Sequence, residues 1–323
     1  MLVPCLNEEN TVADVVARIP RAMSGIGNIE VLVLDDGSTD STLERARAAG
    51  AHVLRNATNQ GLGKTFQTGV RQALMLGADI LVNIDGDGQF DPADIPKLVE
   101  AVIAGEADMV TASRFLDPEL IPEMPGIKKW GNRWVARIVW LLTGKRFRDV
   151  SCGFRAFSRE ALLRMNLFGS FTYTQETFLD LAFKKRSIIE IPVRVQGTRL
   201  FGESRVAASI PRYAFRSLKI MLRAAIGYRP FPFFAAISSL FFIAGLGLLS
   251  FLFTHYLKTG AFSPHIWAGF LGGSFTFVGI ITLVIGFIGD MLVRIRLNQE
   301  EILYFLKQDR YSQVTPACSD SET

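Results

Sequence analysis

The chain opens with short apolar runs that break off in polar, glycine-containing stretches. Leu2-Val3 precedes Pro4-Cys5-Leu6-Asn7-Glu8-Glu9, Ile29 to Leu34 precedes Asp35-Asp36-Gly37-Ser38-Thr39-Asp40, and Ile80 to Ile84 precedes Asp85-Gly86-Asp87-Gly88-Gln89. Continuous β-branched and leucine runs of this kind read as strands buried on both faces. Between them the pattern turns helical: from about Thr11 to Arg18, from Ser41 to Gly50, from Lys64 to Leu76 and from Ala93 to Ala104. Ser41-x-x-Glu44 reads as a capping box, Gly50 as the stop of that helix, and Asp91-Pro92 as the start of the last one. His52 to Arg55, Met109 to Ala112 and Ile188 to Val195 add strands, and Gln175 to Leu181 adds a helix. Alternation of this kind predicts an α/β fold with a mostly parallel sheet and helices on both faces. Ligands then bind beyond the carboxyl ends of the strands, which is where the acids fall. The first strand is short against the usual five or so residues, which predicts further residues upstream of Met1.

Two later stretches follow neither period. Phe231 to Thr254 and Ile266 to Gly289 are almost wholly apolar, and each approaches the roughly 20 residues needed to cross a bilayer. Arg212, Arg216, Lys219, Arg223 and Arg229 precede the first, Arg294, Arg296, Lys307 and Arg310 follow the second, and the connecting loop offers only Lys258. The positive-inside bias places both termini on the cytoplasmic side of the inner membrane, and the N-terminus lacks the basic and apolar regions of a signal peptide. The expected division is a soluble α/β domain over 1–206, an amphipathic juxtamembrane helix over 207–229, two transmembrane helices over 230–290 and a cytoplasmic tail over 291–323. Within the first domain, about 126–142 sets Lys129, Arg133 and Arg137 in one stripe beside Trp130, Trp134 and Trp140, the composition of a helix lying in the membrane interface. Membrane lipid is therefore an expected partner, and so is a second copy through the apolar helices.

Charge and cysteine usage narrow the chemistry. Lys and Arg number 35 against 31 Asp and Glu, a net charge of +4 that gives no case for nucleic acid. Cys5, Cys152 and Cys318 lack paired spacing, and His52, His255 and His265 lie far apart, so any metal falls to carboxylates. Asp85 and Asp87 would share one side of a continuing strand, with Gln89 extending the series. Such hard oxygen donors suit Mg2+ or Mn2+, which takes one or two carboxylates and leaves other positions to water and phosphates; a plain Asp/Gly turn is the alternative for the tripeptide alone. Gly63-Lys64-Thr65 looks like the end of a P-loop, but Thr58 stands where its first glycine is required. That argues against a nucleoside triphosphatase and leaves a tight strand-to-helix turn whose backbone or Lys64 could approach a phosphate.

Six motifs in order, Pro4-x-x-Asn7-Glu8, Asp35-Asp36-Gly37-Ser38-x-Asp40, Asp85-Gly86-Asp87-x-Gln89, Gly153-Phe154-Arg155, Gln175-Glu176 and Arg199-x-x-Gly202-x-Ser204, resemble the family 2 glycosyltransferases of the dolichol-phosphate mannose synthase type. The resemblance covers roughly the first 205 residues. It implies a GT-A fold, Rossmann-like, followed here by interfacial helices and a transmembrane hairpin. It also implies inverting transfer from a nucleotide-diphosphate sugar (of GDP-mannose, UDP-glucose or UDP-GlcNAc type) to a dolichyl or undecaprenyl phosphate, giving a lipid-linked sugar for glycan assembly. Pro4, Leu6, Glu8 and Asp35 or Asp36 would hold the nucleoside, with Asp85 and Gly86 beside it, and Asp85, Asp87 and Gln89 would hold the metal. Arg114, Arg199 and Arg205 match the basic positions that face the phosphates, and Glu176 would assist. The family frequently has lysine where this chain has Arg205. Processive polysaccharide synthases share the acids, but their Gln-x-x-Arg-Trp motif is absent, since Trp130 stands where glutamine is needed before Arg133-Trp134. A non-catalytic membrane scaffold would predict loss of the metal acids, which are intact.

Overall fold

The computed structural model describes residues 1–124, 126–169, 173–196, 219, 222–223 and 226–312. The chain divides into two compact units, Met1–Ile220 with Ile302–Thr323, and Met221–Glu301.

The first unit is built on a seven-stranded sheet of order β3-β2-β1-β4-β6-β5-β7. Its strands are β1 (Leu2–Cys5), β2 (Leu32–Asp35), β3 (His52–Arg55), β4 (Ile80–Asn83), β5 (Met109–Ser113), β6 (Arg155–Ser158) and β7 (Ile188–Pro192). β1 to β4 are parallel and β7 is parallel to β5, whereas β6 runs antiparallel between β4 and β5. The apolar runs locate the other strands to within about three residues at either end, but β6 has no such run, since it begins with the buried Arg155. The helices are α1 (Val12–Arg18), α2 (Thr42–Ala48), α3 (Leu62–Met75), α4 (Ile95–Ile103), α5 (Gly126–Thr143), α6 (Arg159–Arg164) and α7 (Thr174–Phe183).

Both faces of β1 are covered. Val3 and Cys5 belong to a core with Val12, Val16, Val33, Leu98 and Val102, from α1, β2 and α4. Leu2, by alternation on the other face, meets α3 at Gly69, where a Cβ would stand 2.4 Å from Leu2 Cδ2. Burying each such Val or Leu side chain contributes about 1.5–3 kcal/mol. The expected capping box does not form. Ser41 makes no side-chain cap bond; Asp40 Oδ1 accepts from Thr42 N at 3.1 Å and from Thr42 Oγ1 at 2.5 Å, and Ser41 N donates to Glu9 Oε2 at 3.2 Å. Asp91 Oδ1 does cap at Ala93 N (2.9 Å), but it starts a 3-10 turn, Pro92–Asp94, ahead of α4. α5 buries Asn132, Ala136 and Val139 and exposes Trp130, Trp134 and Leu141 together with Arg133 and Arg137.

The second unit holds most of two long helices, α8 (Pro230–Thr259) and α9 (Ile266–Ser312), both long and apolar enough to cross a membrane by length and composition. At 1.5 Å per residue α8 alone is about 45 Å long, against a hydrocarbon core of about 30 Å. The helices pack through small residues: Ser238 Oγ donates to Gly279 O at 2.7 Å, and a Cβ on Gly272 would lie 2.9 Å from Gly245 O. Their outward side chains are large and apolar, with Ile243 71% and Phe270 75% exposed. Where the hydropathy pattern sets a separate tail from 291, α9 continues to Ser312. Of the expected juxtamembrane helix, Arg212 and Arg216 lie outside the described residues, and Lys219 and Arg223 are exposed.

Candidate active site

Because β1, β2 and β4 are parallel, their carboxyl ends open on the same edge of the sheet. The loop after β1 and the loop after β2 are stitched together there. Asn7 N donates to Ser38 Oγ (2.8 Å), Thr39 N to Asn7 Oδ1 (2.9 Å) and Glu8 N to Thr42 Oγ1 (2.8 Å). Asn7 has φ of 51°, a left-handed conformation that asparagine tolerates better than most residues. Pro4 is buried within β1, and Leu6 and Glu8 are half-buried at its mouth.

The two acids after β2 differ. Asp36 accepts from Asn56 Nδ2 (2.8 Å) and Gln60 N (2.9 Å) on Oδ1 and from Gly61 N (2.9 Å) on Oδ2, so it clamps the glycine turn that leads into α3. Lys64, just beyond that turn, is exposed. Asp35 is fully buried; its Oδ1 accepts from Ser38 N at 3.0 Å and Arg55 Nε lies 3.4 Å from Oδ2.

Strand geometry does not persist into the Asp85–Gln89 segment, since β4 ends at Asn83 and a turn carries the acids. That turn lies flat on β1, because Gly86 has no side chain: a Cβ there would sit 2.4 Å from Cys5 Sγ. Thr11 Oγ1 secures it by donating to Gly86 O at 2.7 Å. Asp87 is buried and its Oδ1 accepts from Gln89 N at 3.1 Å, while Gln89 Nε2 donates to Gln196 O at 3.1 Å. Asp85 rests against Gly153, where a Cβ would meet Asp85 Oδ2 at 2.8 Å and Tyr173 Oη at 3.0 Å. Asn83 Nδ2 donates to Gly153 O (2.9 Å) and to Tyr173 Oη (2.6 Å), and Tyr173 Oη donates to Gly153 O (3.1 Å). Tyr173 is fully buried and stacks on Phe66 with centroids 3.9 Å apart.

The electrostatics report the same convergence. Burial pushes the Cys5 thiol well above its ordinary pKa, and Glu8, Asp35, Asp85 and Asp87, from the ends of three strands, push it further. Burial, and then Asp85, likewise raise the Tyr173 phenol. Arg155 of the Gly153-Phe154-Arg155 motif is fully buried, donating to Thr174 O at 2.7 Å and to Thr177 Oγ1, with its guanidinium 4.6 Å from the Phe178 ring centroid. Burial lowers its pKa, with Tyr173, Cys152, Asp149 and Asp85 opposing.

Two residues expected to act on the reaction have partners within the fold. Arg114 forms a two-pronged pair with buried Asp149, Nε to Oδ2 at 2.6 Å and Nη2 to Oδ1 at 2.9 Å. Burial raises the Asp149 pKa, but the charge and bonds of Arg114 outweigh it and hold the carboxyl below its usual range. The Arg114 charge is thus answered inside the protein. Glu176 accepts from Phe168 N (2.8 Å) and from Gly169 N (3.0 and 3.2 Å), which makes it a clamp on the α6–α7 connection. Arg199 and Arg205 lie outside the described residues.

Sequence reasoning gave no role to Cys5, Asn83, Asp149 or Tyr173. Asp149 follows Arg146 and Arg148 in the sequence, and a lone acid among basic residues was its only signal. Among the described residues no three His, Cys, Asp or Glu side chains converge as a metal cage. Asp85, Asp87 and the Gln89 carbonyl oxygen remain a hard-donor set of the small size that Mg2+ or Mn2+ accepts when phosphates complete the sphere.

Residues 1–165 match the sequence profile described as Glycosyl transferase family 2. The chain is 35% identical over 161 residues to an uncharacterised protein of Methanocaldococcus jannaschii, covering 50% of this chain and 65% of that one. It is 32% identical over 179 residues to a UDP-N-acetylglucosamine–dolichyl-phosphate N-acetylglucosaminyltransferase of Methanococcus voltae (50% of this chain, 70% of that one). It is 30% identical over 221 residues to an undecaprenyl-phosphate mannosyltransferase of Micrococcus luteus (65% and 87%). Glucosyl-3-phosphoglycerate synthase of Mycobacterium tuberculosis, solved with Mn2+, UDP and phosphoglyceric acid, shares the fold at a TM-score of 0.55 and 24% identity, covering 69% of this chain and 76% of that one. The same synthase has also been solved with Mg2+ and UDP.

Proposed function

The chain belongs to glycosyl transferase family 2, and from that premise we propose that it transfers a sugar, with inversion, from a nucleotide-diphosphate sugar to a polyprenyl phosphate. The observation that carries this reading is the gathering of Glu8, Asp35, Asp85 and Asp87 at the carboxyl ends of β1, β2 and β4, where the Gly86 turn lies against Cys5. Acids gathered there suit a nucleoside diphosphate and its counter-ion better than a neutral ligand. The acceptor is supported by the names of the M. luteus and M. voltae relatives, both prenyl-phosphate transferases. Two helices able to cross a bilayer would keep the enzyme beside such a lipid.

Asp85, Asp87 and Gln89 would hold Mg2+ or Mn2+. Bound there, the cation would neutralise charge developing on the leaving nucleoside diphosphate. Gly86 and Gly153 hold the acidic turn between β1 and the Tyr173–Asn83 wall, so Asp85 needs little reorganisation on binding. A prenyl phosphate has a second pKa of about 6 and is largely ionised at neutral pH. No general base is then required, which agrees with Glu176 being engaged by backbone N–H groups. Arg199 and Arg205 are the arginines this reading assigns to phosphate contact; Arg114 supports Asp149. Trp130 and Trp134 beside Arg133 and Arg137 suit a helix at headgroup depth, with Lys219 and Arg223 facing an anionic cytoplasmic leaflet.

The test uses purified full-length protein in liposomes, with a panel of labelled GDP-mannose, UDP-glucose and UDP-GlcNAc and short or long prenyl phosphates. One donor should give a chloroform-soluble product that needs the prenyl phosphate and is abolished by EDTA. Polymer release, transfer to a soluble acceptor, or turnover that survives EDTA would overturn the reading.

A further inference from the structure

Residues 165–169, between α6 and α7, are held from three elements. From α7, Glu176 takes Phe168 N and Gly169 N, and Asp180 Oδ2 accepts from Asn166 N at 3.1 Å. From α3, Gln67 Nε2 donates to Gly169 O at 2.9 Å. The third comes from far along the chain: Lys307, near the end of α9, donates from Nζ to Met165 O and to Asn166 Oδ1, both at 2.8 Å.

That end of α9 is seated by contacts of its own. Tyr304 Oη donates to Glu160 Oε2 at 2.9 Å, the Arg164 guanidinium lies 4.0 Å from the Tyr304 ring centroid, and Arg159 Nη2 donates to Tyr311 O at 3.0 Å. Stacked and charge-assisted contacts of this kind hold one geometry. Lys307 therefore acts from a fixed base. Its ammonium bonds a backbone carbonyl and a side-chain amide, neither of which carries a formal charge. The two bonds fix where residues 165 and 166 run.

The connection leads toward Tyr173 and α7, and the Tyr173 hydroxyl, through Gly153, borders Asp85. We propose that Lys307 is a positioning residue for the transfer reaction. It holds residues 165–169 against Glu176 and Asp180 of α7, and with them the wall against which Asp85 rests. A wall displaced by a fraction of an ångström would leave the nucleotide pocket intact and misplace the carboxylate, so the cost falls on turnover more than on donor affinity. The kinetic part of this inference rests on the transferase reading above.

The experiment compares wild type with Lys307→Met, which keeps the stem and removes the donors, with Lys307→Arg, which restores them, and with Tyr304→Phe, which loosens the seat. Hydrogen exchange of peptides spanning 165–169 is read beside kcat and donor KM. Lys307→Met should speed exchange there about tenfold and lower kcat about five- to tenfold with donor KM within about twofold of wild type. Lys307→Arg should recover most of both, and Tyr304→Phe should shift both in the same direction by less. Unchanged exchange in Lys307→Met, a loss expressed in KM alone, or an arginine variant as defective as the methionine one would overturn the proposal. An insoluble Lys307→Met leaves the decision to Tyr304→Phe, for which unchanged exchange and unchanged kcat would overturn it. If no donor is turned over by wild type, the transferase reading fails, while the exchange measurement still decides whether Lys307 holds the connection.

Discussion

The loops after β2 and β4 look alike in sequence, each a run of apolar residues ending in two acids and a glycine, yet they use their carboxylates differently. Asp36 has both oxygens bonded to the loop that leads into α3, and without it three donors in that loop lose an acceptor, two of them keeping a second one. Asp85 and Asp87 sit on a turn whose position is set by other groups: the missing side chain of Gly86, the Thr11 hydroxyl and the Gly153 wall. One acid builds the site, and the other pair is placed by it. An acid at a strand end is therefore read correctly only once its neighbours' donors are known.

The sharpest way to test the contrast is Asp87→Asn. If the carboxylate is placed for function, transfer should fall by on the order of 10²–10³-fold while the thermal midpoint moves by no more than a degree or two. A variant that keeps wild-type turnover, or one that melts far below wild type, would erase the distinction.

Asp36→Ala probes the other side. Three donors lose an acceptor; Asn59 Oδ1, Thr65 Oγ1 and water recover part of the loss, and we expect about 2 kcal/mol of destabilisation. In a catalytic unit of this size that corresponds to about 4–8 °C. An unchanged midpoint combined with a raised donor KM would instead put Asp36 in direct contact with the nucleoside.

Gly153→Ala should have the smallest effect. Its methyl group would press on Asp85 Oδ2 at 2.8 Å, so turnover should drop about tenfold with about 1 kcal/mol of overpacking. Full activity with an altered Mn2+ affinity measured by electron paramagnetic resonance would show that the wall tunes the metal without aligning the reaction.

These differences also explain how far the sequence could be read. β1, β2 and β4 were legible because central parallel strands are continuous apolar runs, and the acids after them followed from the topology. β6 was not, because a strand that opens with a buried arginine and closes with a serine has no apolar run to mark it. The Ser41 capping box failed because Asp40, one residue earlier, reaches the same helix end and Glu9 holds Ser41 N from another loop. Glu176 looked like a candidate for chemistry because a motif says nothing about which backbone N–H groups will fold against it. Tyr173 and Asn83 were missed for the same reason. Their role exists only once residues far apart in sequence are side by side.

The strand order has a consequence for how the molecule comes into being. β5 is complete at Ser113, yet its two neighbours in the sheet are β6 and β7, which end at Ser158 and Pro192. During synthesis β1 to β4 can assemble in step with their emergence, while β5 must wait through more than forty residues with both edges unsatisfied. β6 then enters between strands already made, bringing Gly153 at its root. The acidic turn is thus synthesised early and given its wall late, so a nascent chain carries Asp85 and Asp87 well before it can hold them in place.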